Sequence, residues 1–323
     1  MTCLAIVGAG GLVGQTLVAL LEERSLKITR LIPIGSAPGR TVRFRGEDLD
    51  VLDLNAVDFK SIDVVILAAG RDVSLRHAQE IARAGCIVID NSSAFRQHDH
   101  VPLIVPELNS NSIHTADRII ANPNCIAIQL ALVLSPLQQF FGIARADITT
   151  SQAASGAGHS LVKMLDAGDE IIAGTIVPCI GELDEHGRCE EERKIETELH
   201  RLLDAPDMRI ATTATRVPVH NGHGASVHLC LQQPVRSERL AALLQESPGV
   251  RFVDARERPA GPTARDDASG QNDVLVGRLR INPDHPREVQ MWIVADNLRR
   301  GAALNAILIL EHVLRVHGLI ARA

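Results

Sequence analysis

Between residues 1 and 120, short apolar runs alternate with stretches whose apolar residues recur at helical spacing. Residues 4–7 (LAIV) form the first run and lead into glycines. Val13, Leu17, Leu20 and Leu21 then fall on one face of a helix expected over 13–23. Residues 64–69 read as another buried strand, 74–84 as a helix and 87–90 as a further strand. Strands that are apolar throughout and alternate with helices imply a parallel sheet covered on both faces.

The pattern changes further along. Residues 101–109 are rich in Pro and Asn and read as irregular, and 156–170 combine a glycine turn with a helical stretch. Segments 211–219 and 225–231 alternate like strands exposed on one face, and 274–281 and 290–294 read as two more. A mixed or antiparallel second sheet is expected from them. Residues 253–273, with many Pro, Gly, Asp and Arg, are expected to form a long loop. An apolar helix over 304–316 closes the chain. No internal repeat or low-complexity tract is present. The fold class is α/β: a Rossmann-type parallel sheet domain plus an α+β substrate and dimerisation domain.

Composition narrows the partners. The chain has 323 residues, 46% of them hydrophobic, which suits about two domains with substantial cores. Its net charge of −6 gives no electrostatic reason to hold nucleic acid or an anionic membrane. Only 2% of residues are aromatic and none is Tyr, so base-stacking surfaces are not expected. No apolar run approaches the roughly 18–20 residues that span a bilayer. The start, MTCLAIVGAG, lacks a basic segment and a cleavage site, and reads as a strand rather than a signal peptide. Six cysteines, none in CxxC spacing, fit reduced thiols in a cytoplasm better than a disulfide framework.

Residues 8–14 (GAGGLVG) follow the first strand and open the first helix. Gly8, Gly11 and Gly14 satisfy G-x-x-G-x-x-G, with Gly10 extra. Such glycines let a pyrophosphate approach amides at a helix start, so a dinucleotide is expected against Gly8, Gly10, Gly11, Leu12, Val13 and Gly14. The loop 33–40 (PIGSAPGR) holds no acidic residue to read a ribose, whereas Arg40 offers a cation to a 2′-phosphate, which favours NADP over NAD.

Residues 119–121 form a strand-like run, followed by a turn and then Cys125 at the start of a helix expected over 126–134. The partial positive charge of a helix start favours a thiolate, the form a nucleophile needs. Further on, 216–224 (RVPVHNGHG) places two histidines in a glycine-flanked turn. No further ligand stands at metal-binding spacing, so no metal is expected. An imidazole there suits acid–base work for a thiol, and Arg216 suits a bidentate grip on a carboxylate.

Taken together, GAGGLVG at 8–14, IDNSSAFR at 89–96, VPELN at 105–109, NPNC at 122–125, QAASGAG at 152–158, EERK at 191–194, RVPVHNGH at 216–223, VGRLR at 276–280 and ADNLRRGAA at 295–303 resemble the aspartate-semialdehyde dehydrogenase family. The matches run in family order over nearly the whole chain. The resemblance implies that Cys125 is the nucleophile, His223 the acid–base residue and Gln152 the residue orienting the acyl intermediate. It implies that Arg216 grips the substrate α-carboxylate, that Glu191 meets its amino group, and that Arg96, Asn124 and Lys194 serve phosphate. Ser155, Gly156, Gly158 and Asn297 would neighbour the nicotinamide. It further implies a dinucleotide-binding domain over 1–124 and 297–323, and a catalytic and dimerisation domain over 125–296. The partners would be a small-molecule substrate and phosphate, with assembly as a homodimer or a dimer of dimers. The family reduces L-aspartyl-4-phosphate to the semialdehyde with NADPH, toward lysine, diaminopimelate, threonine and methionine.

The chain departs from the family pattern at Ile126-Ala127, where Ser-Thr is usual, and at Ala68-Ala69-Gly70-Arg71, where a Ser- and Gly-rich turn is usual. It departs also at Ser36-Ala37, where Arg-Ser often reads the 2′-phosphate, and at Thr175, where Asn is usual. Two other readings stay open on the residues alone: another acyl-phosphate reductase, such as the N-acetylglutamyl-phosphate enzyme, and a non-catalytic paralogue acting as a nucleotide-binding regulator. A structural oligomerising protein is a remote third.

Overall fold

A computed structural model describes residues 2–36 and 39–319. Ala37, one of the departures just named, lies outside the described residues, as does Pro38. Residues 1–124 and 302–323 form one unit, and 125–301 form a second.

The first unit opens with β1 (Cys3–Val7), α1 (Leu12–Glu23) and β2 (Arg30–Ile34). The hairpin β3 (Thr41–Phe44) and β4 (Glu47–Asp50) follows, then β5 (Val64–Leu67), α2 (Arg71–Arg83), β6 (Ile87–Asp90), α3 (Pro106–Asn109) and β7 (Ile119–Ala121). Five strands pair in the order β2-β1-β5-β6-β7, all parallel. Alternate residues of each strand enter different cores, because side chains point to opposite faces with period two. Leu4, Ile6, Val64, Ile66, Ile87 and Ile89 pack into one core. Ala5, Val7, Val65, Leu67 and Val88 pack into the other, with Ala78 and Ile81 of α2. This is why the strands read as unbroken apolar runs. The hairpin was not visible in the hydrophobic pattern. Its Arg45-Gly46 turn has both residues at positive φ, 51° and 84°, which suits a two-residue primed turn.

The second unit starts with α4 (Cys125–Phe141), whose residues from Ile126 to Leu134 are all buried. Apolar on every side, it is a core helix. It runs further than the 126–134 expected, continuing through Pro136. Then come β8 (Ile143–Gln152), α5 (His159–Asp166), α6 (Glu190–Leu202), β9 (Arg209–Arg216), β10 (His223–Leu231), α7 (Ser237–Glu246), β11 (Val250–Phe252), β12 (Val274–Asn282) and β13 (His285–Ala295). Six strands pair in the order β11-β12-β13-β10-β8-β9. The β8–β9 and β11–β12 pairs are parallel and the rest antiparallel, so the sheet is mixed.

Several expectations are corrected in detail. The 101–109 segment ends in a helical turn at Pro106–Asn109, and the 253–273 loop contains a π-helical turn at Ala264–Ala268. The strand expected over 290–294 spans His285–Ala295, and the one over 211–219 ends at Arg216.

The chain returns to the first unit as α8 (Leu304–Val316). Leu304, Ile307, Leu310, Val313 and Leu314 share the core of β1 and α1. Each such burial contributes roughly 1.5–3 kcal/mol, enough to tie the terminal helix to the sheet.

Candidate active site

Strand register gathers the chemistry of the second unit at one end of its sheet. Gln152 ends β8 and lies beside Arg216, which ends β9. His223 begins the neighbouring antiparallel β10, opposite Ala295 at the end of β13. Asp296 and Asn297 follow at once.

His223 is fully buried. The backbone N–H of Ala153 donates to its Nδ1 at 3.1 Å, and Nε2 has no partner. An acceptor Nδ1 means that the neutral ring carries its proton on Nε2. Burial first, then the Arg216 charge, pushes the pKa of His223 down to about 3. Arg216 is also buried, and its Nη1 donates to the Ala153 carbonyl at 2.6 Å. Burial lowers the Arg216 pKa, while Cys125 and Glu191 act in the other direction as anionic neighbours. One residue, Ala153, therefore uses its N–H to set the imidazole and its C=O to set the guanidinium.

Gly156 stands beside both. A Cβ built there would lie 3.0 Å from Arg216 Nη1 and 3.1 Å from His223 Nε2. The missing side chain lets the Gly156 backbone lie close against both groups. Cys125 is the first residue of α4 and is partly buried. Gly301 packs on it so closely that a Cβ there would meet Cys125 Cβ at 2.8 Å. Glu191 is buried in the first turn of α6. Lys194 lies 4.0 Å from Glu191 and 2.6 Å from Glu190. The Arg216 charge thus acts on His223 and is acted on by Cys125 and Glu191, Gln152 lies beside Arg216 in the sheet, and Lys194 lies 4.0 Å from Glu191.

Ser155 and Asn297 hold each other: Asn297 Nδ2 donates to Ser155 Oγ at 3.0 Å. Asn297 Oδ1 accepts the Gly222 N–H at 2.8 Å, one residue before His223. Gly158, at φ +87°, starts α5.

The first unit holds the other set. Gly8 (φ +88°) leaves no room for a Cβ, which would sit 2.5 Å from the Ala68 carbonyl oxygen. At Gly14 a Cβ would meet the Gly8 carbonyl oxygen at 2.2 Å. Gly10 meets nothing within 4 Å, so the turn is open there. A cavity of about 600 Å³ lies against Gly8, Gly10, Gly11, Ser36, Arg40 and Arg43. Its open glycine backbone and its cations fit a phosphorylated dinucleotide. Leu12, Val13 and Gly14 begin α1 and are not part of its lining. Arg96, also in this unit, is buried and donates to the carbonyls of Asn122 (2.9 Å) and Asn91 (2.8 Å), at the ends of β7 and β6. Asn124 is buried too. Among the described residues no group of His, Cys, Asp and Glu is placed to hold a metal ion, and no helix is long and apolar enough to cross a membrane.

Sequence reasoning missed Ala153, Asn221 and Asp296, whose hydrogen bonds support the site. The Asn221-Gly222 turn before His223 was the available signal for one of them.

Residues 4–116 match the model of the semialdehyde dehydrogenase NAD binding domain, and residues 134–300 match the semialdehyde dehydrogenase dimerisation domain. The chain is 41% identical to an aspartate-semialdehyde dehydrogenase of Legionella pneumophila over 95% of this chain and 94% of that one. It is 35% identical to that of Bacillus subtilis over 97% of each. Among solved structures, aspartate semialdehyde dehydrogenase II of Vibrio cholerae complexed with ASA superposes with TM-score 0.94 at 33% identity, over 98% of both chains. The Candida albicans enzyme with NADP superposes with TM-score 0.78 at 25% identity, over 99% of this chain and 100% of that one.

Proposed function

Because this chain belongs to the aspartate-semialdehyde dehydrogenase family, we propose that the cluster around Ala153 is its catalytic centre, with Cys125 as nucleophile. The protein is an NADP-dependent phosphorylating aldehyde dehydrogenase that interconverts L-aspartyl-4-phosphate and L-aspartate 4-semialdehyde plus phosphate. It serves amino-acid biosynthesis and carries the family's dimerisation domain. The working species is a homodimer or a pair of dimers in the cytoplasm.

The sulfur of Cys125 adds to the substrate carbonyl carbon. From the acyl phosphate this expels phosphate and leaves a thioester; from the semialdehyde it gives a thiohemiacetal. Thiolate is both a good nucleophile and a good leaving group, so one hard transfer becomes two easier ones. Gly8, Gly10, Gly11 and Arg40 would hold NADP, which would supply the hydride exchange between thioester and thiohemiacetal. His223 presents N–H at Nε2 and donates a hydrogen bond to the carbonyl oxygen as negative charge develops there. Arg216, anchored through Nη1, directs its other donors at the α-carboxylate. Glu191 meets the amino group and Gln152 orients the acyl group. Lys194 is the second unit's cation for phosphate. In the first unit, Arg96 and Asn124 are anion contacts, and Arg40 reads the 2′-phosphate.

The observation that carries this reading is the shared anchoring of His223 and Arg216 on Ala153, with Nε2 left unpartnered over Gly156. The test is the formation of NADPH from aspartate semialdehyde, phosphate and NADP. Turnover that needs phosphate and that N-acetylglutamate semialdehyde cannot support is expected. No turnover, or preference for the acetylglutamyl substrate, would overturn it.

A further inference from the structure

Asp296 is buried, and its carboxylate accepts hydrogen bonds from two separate stretches of chain that flank the site and from its own turn. Oδ1 accepts the N–H groups of Leu298 (2.9 Å) and Arg299 (2.8 Å), shaping the turn that leads to Gly301 against Cys125. Oδ2 accepts Asn221 Nδ2 at 2.8 Å and the Gly270 N–H at 2.7 Å. Asn221 is two residues before His223, and its Oδ1 accepts Ser155 Oγ–H at 3.3 Å. The carboxylate therefore joins the loop that carries the imidazole to the turn that backs the nucleophile.

We infer that Asp296 is a positioning residue: it clamps the 219–223 loop through Asn221 so that His223 Nε2 stays aimed at the reacting carbonyl. Four N–H donors converge on it, and only a carboxylate accepts on both oxygens at once. An amide in its place turns one end into a donor that faces two other donors. The loop then loses its tether to Asp296, while its backbone bonds to Ala154 and Ser155, the Gly222–Asn297 bond and the His220–Asp166 contact remain. A displacement of about 1 Å at a reacting group can cost on the order of a hundredfold in rate. Loosening also admits water to a ring that burial now holds neutral, beside the Arg216 charge that acts on it.

This inference rests on the role assigned to His223, so His223→Ala is measured alongside. The experiment is the kcat–pH profile of the full-length enzyme with aspartate semialdehyde, phosphate and NADP for wild type, Asp296→Asn and Asn221→Ala, plus the reciprocal pair Asp296→Asn with Asn221→Asp. Thermal unfolding is recorded for each. Both single variants are expected to lose kcat about tenfold to a hundredfold at temperatures where they are folded, with substrate KM within about twofold. They should also gain an acid limb near the ordinary histidine range of about 6.5 that wild type lacks. The reciprocal pair, which restores an amide–carboxylate bond, should recover part of the lost rate. Asn221→Ala leaves no clashing donor and serves if Asp296→Asn fails to fold. Wild-type kcat in the single variants, or a loss that tracks unfolding with no new acid limb, overturns the clamp. A His223→Ala enzyme with wild-type rate would instead overturn the role of His223 itself.

Discussion

The backbone N–H of Ala153 donates to Nδ1 of His223 at 3.1 Å, and this one bond fixes the neutral tautomer of a fully buried imidazole. The native ring resists protonation until about pH 3, because burial and then Arg216 oppose the charge. In the unfolded chain the same ring takes up a proton near about 6.5. Between those values the unfolded state binds the extra proton, so stability falls as pH falls through that window. The slope from one such group approaches ~1.4 kcal/mol per pH unit. Thermal unfolding of wild type from about pH 7 to about pH 5 should show this loss, and His223→Gln should remove that part of the slope. Identical slopes would mean that the ring is not held neutral.

Gly156→Ala tests the close approach of residue 156 to His223 and Arg216. The added Cβ would stand 3.0 Å from Arg216 Nη1 and 3.1 Å from His223 Nε2, while Gly156 itself needs no special backbone conformation. The protein should fold normally and lose about tenfold or more in kcat/KM. Unchanged kinetics would place the substrate elsewhere.

For Arg216→Lys the main effect should fall on KM for the semialdehyde. The guanidinium can bond the Ala153 carbonyl and still present donors to a carboxylate; a single ammonium cannot do both. A rise of roughly tenfold, the equivalent of ~1.4 kcal/mol, is expected in steady-state kinetics. An unaltered KM would remove Arg216 from substrate binding.

Arg40 lines the first-unit cavity beside Ser36. Arg40→Ala should raise KM for NADP by roughly tenfold, the worth of one charge-assisted bond, and leave KM for NAD little changed. Equal effects on both would show that Arg40 does not read the 2′-phosphate.

The parallel sheet was legible because both its faces are buried, so β1, β5 and β6 stand out as apolar runs. β8 was not, although it pairs on both sides: its buried positions include Thr150 and Gln152, so the period-two signal is polar where it matters most. α6 hides for a related reason, since buried Glu191 and Glu198 sit on the same helix as Ile195 and Leu199. Chemistry-bearing residues such as Cys125 and His223 were visible through motifs. Their supports were not, because Ala153 acts through its backbone, which any residue shares, and Asp296 acts through contacts with Asn221 and Gly270 that only folding creates.

The thioester on Cys125 is the step on which the mechanism turns, and withholding phosphate isolates it. With aspartate semialdehyde and NADP alone, wild type should make about one NADPH per active site and then stop, with the aspartyl acyl mass on the peptide bearing Cys125. Phosphate added later should release the acyl group and restart turnover, and Cys125→Ala should bind NADP yet show neither burst nor adduct. Continuous NADPH production without phosphate in wild type, or a burst that survives in Cys125→Ala, would contradict the account.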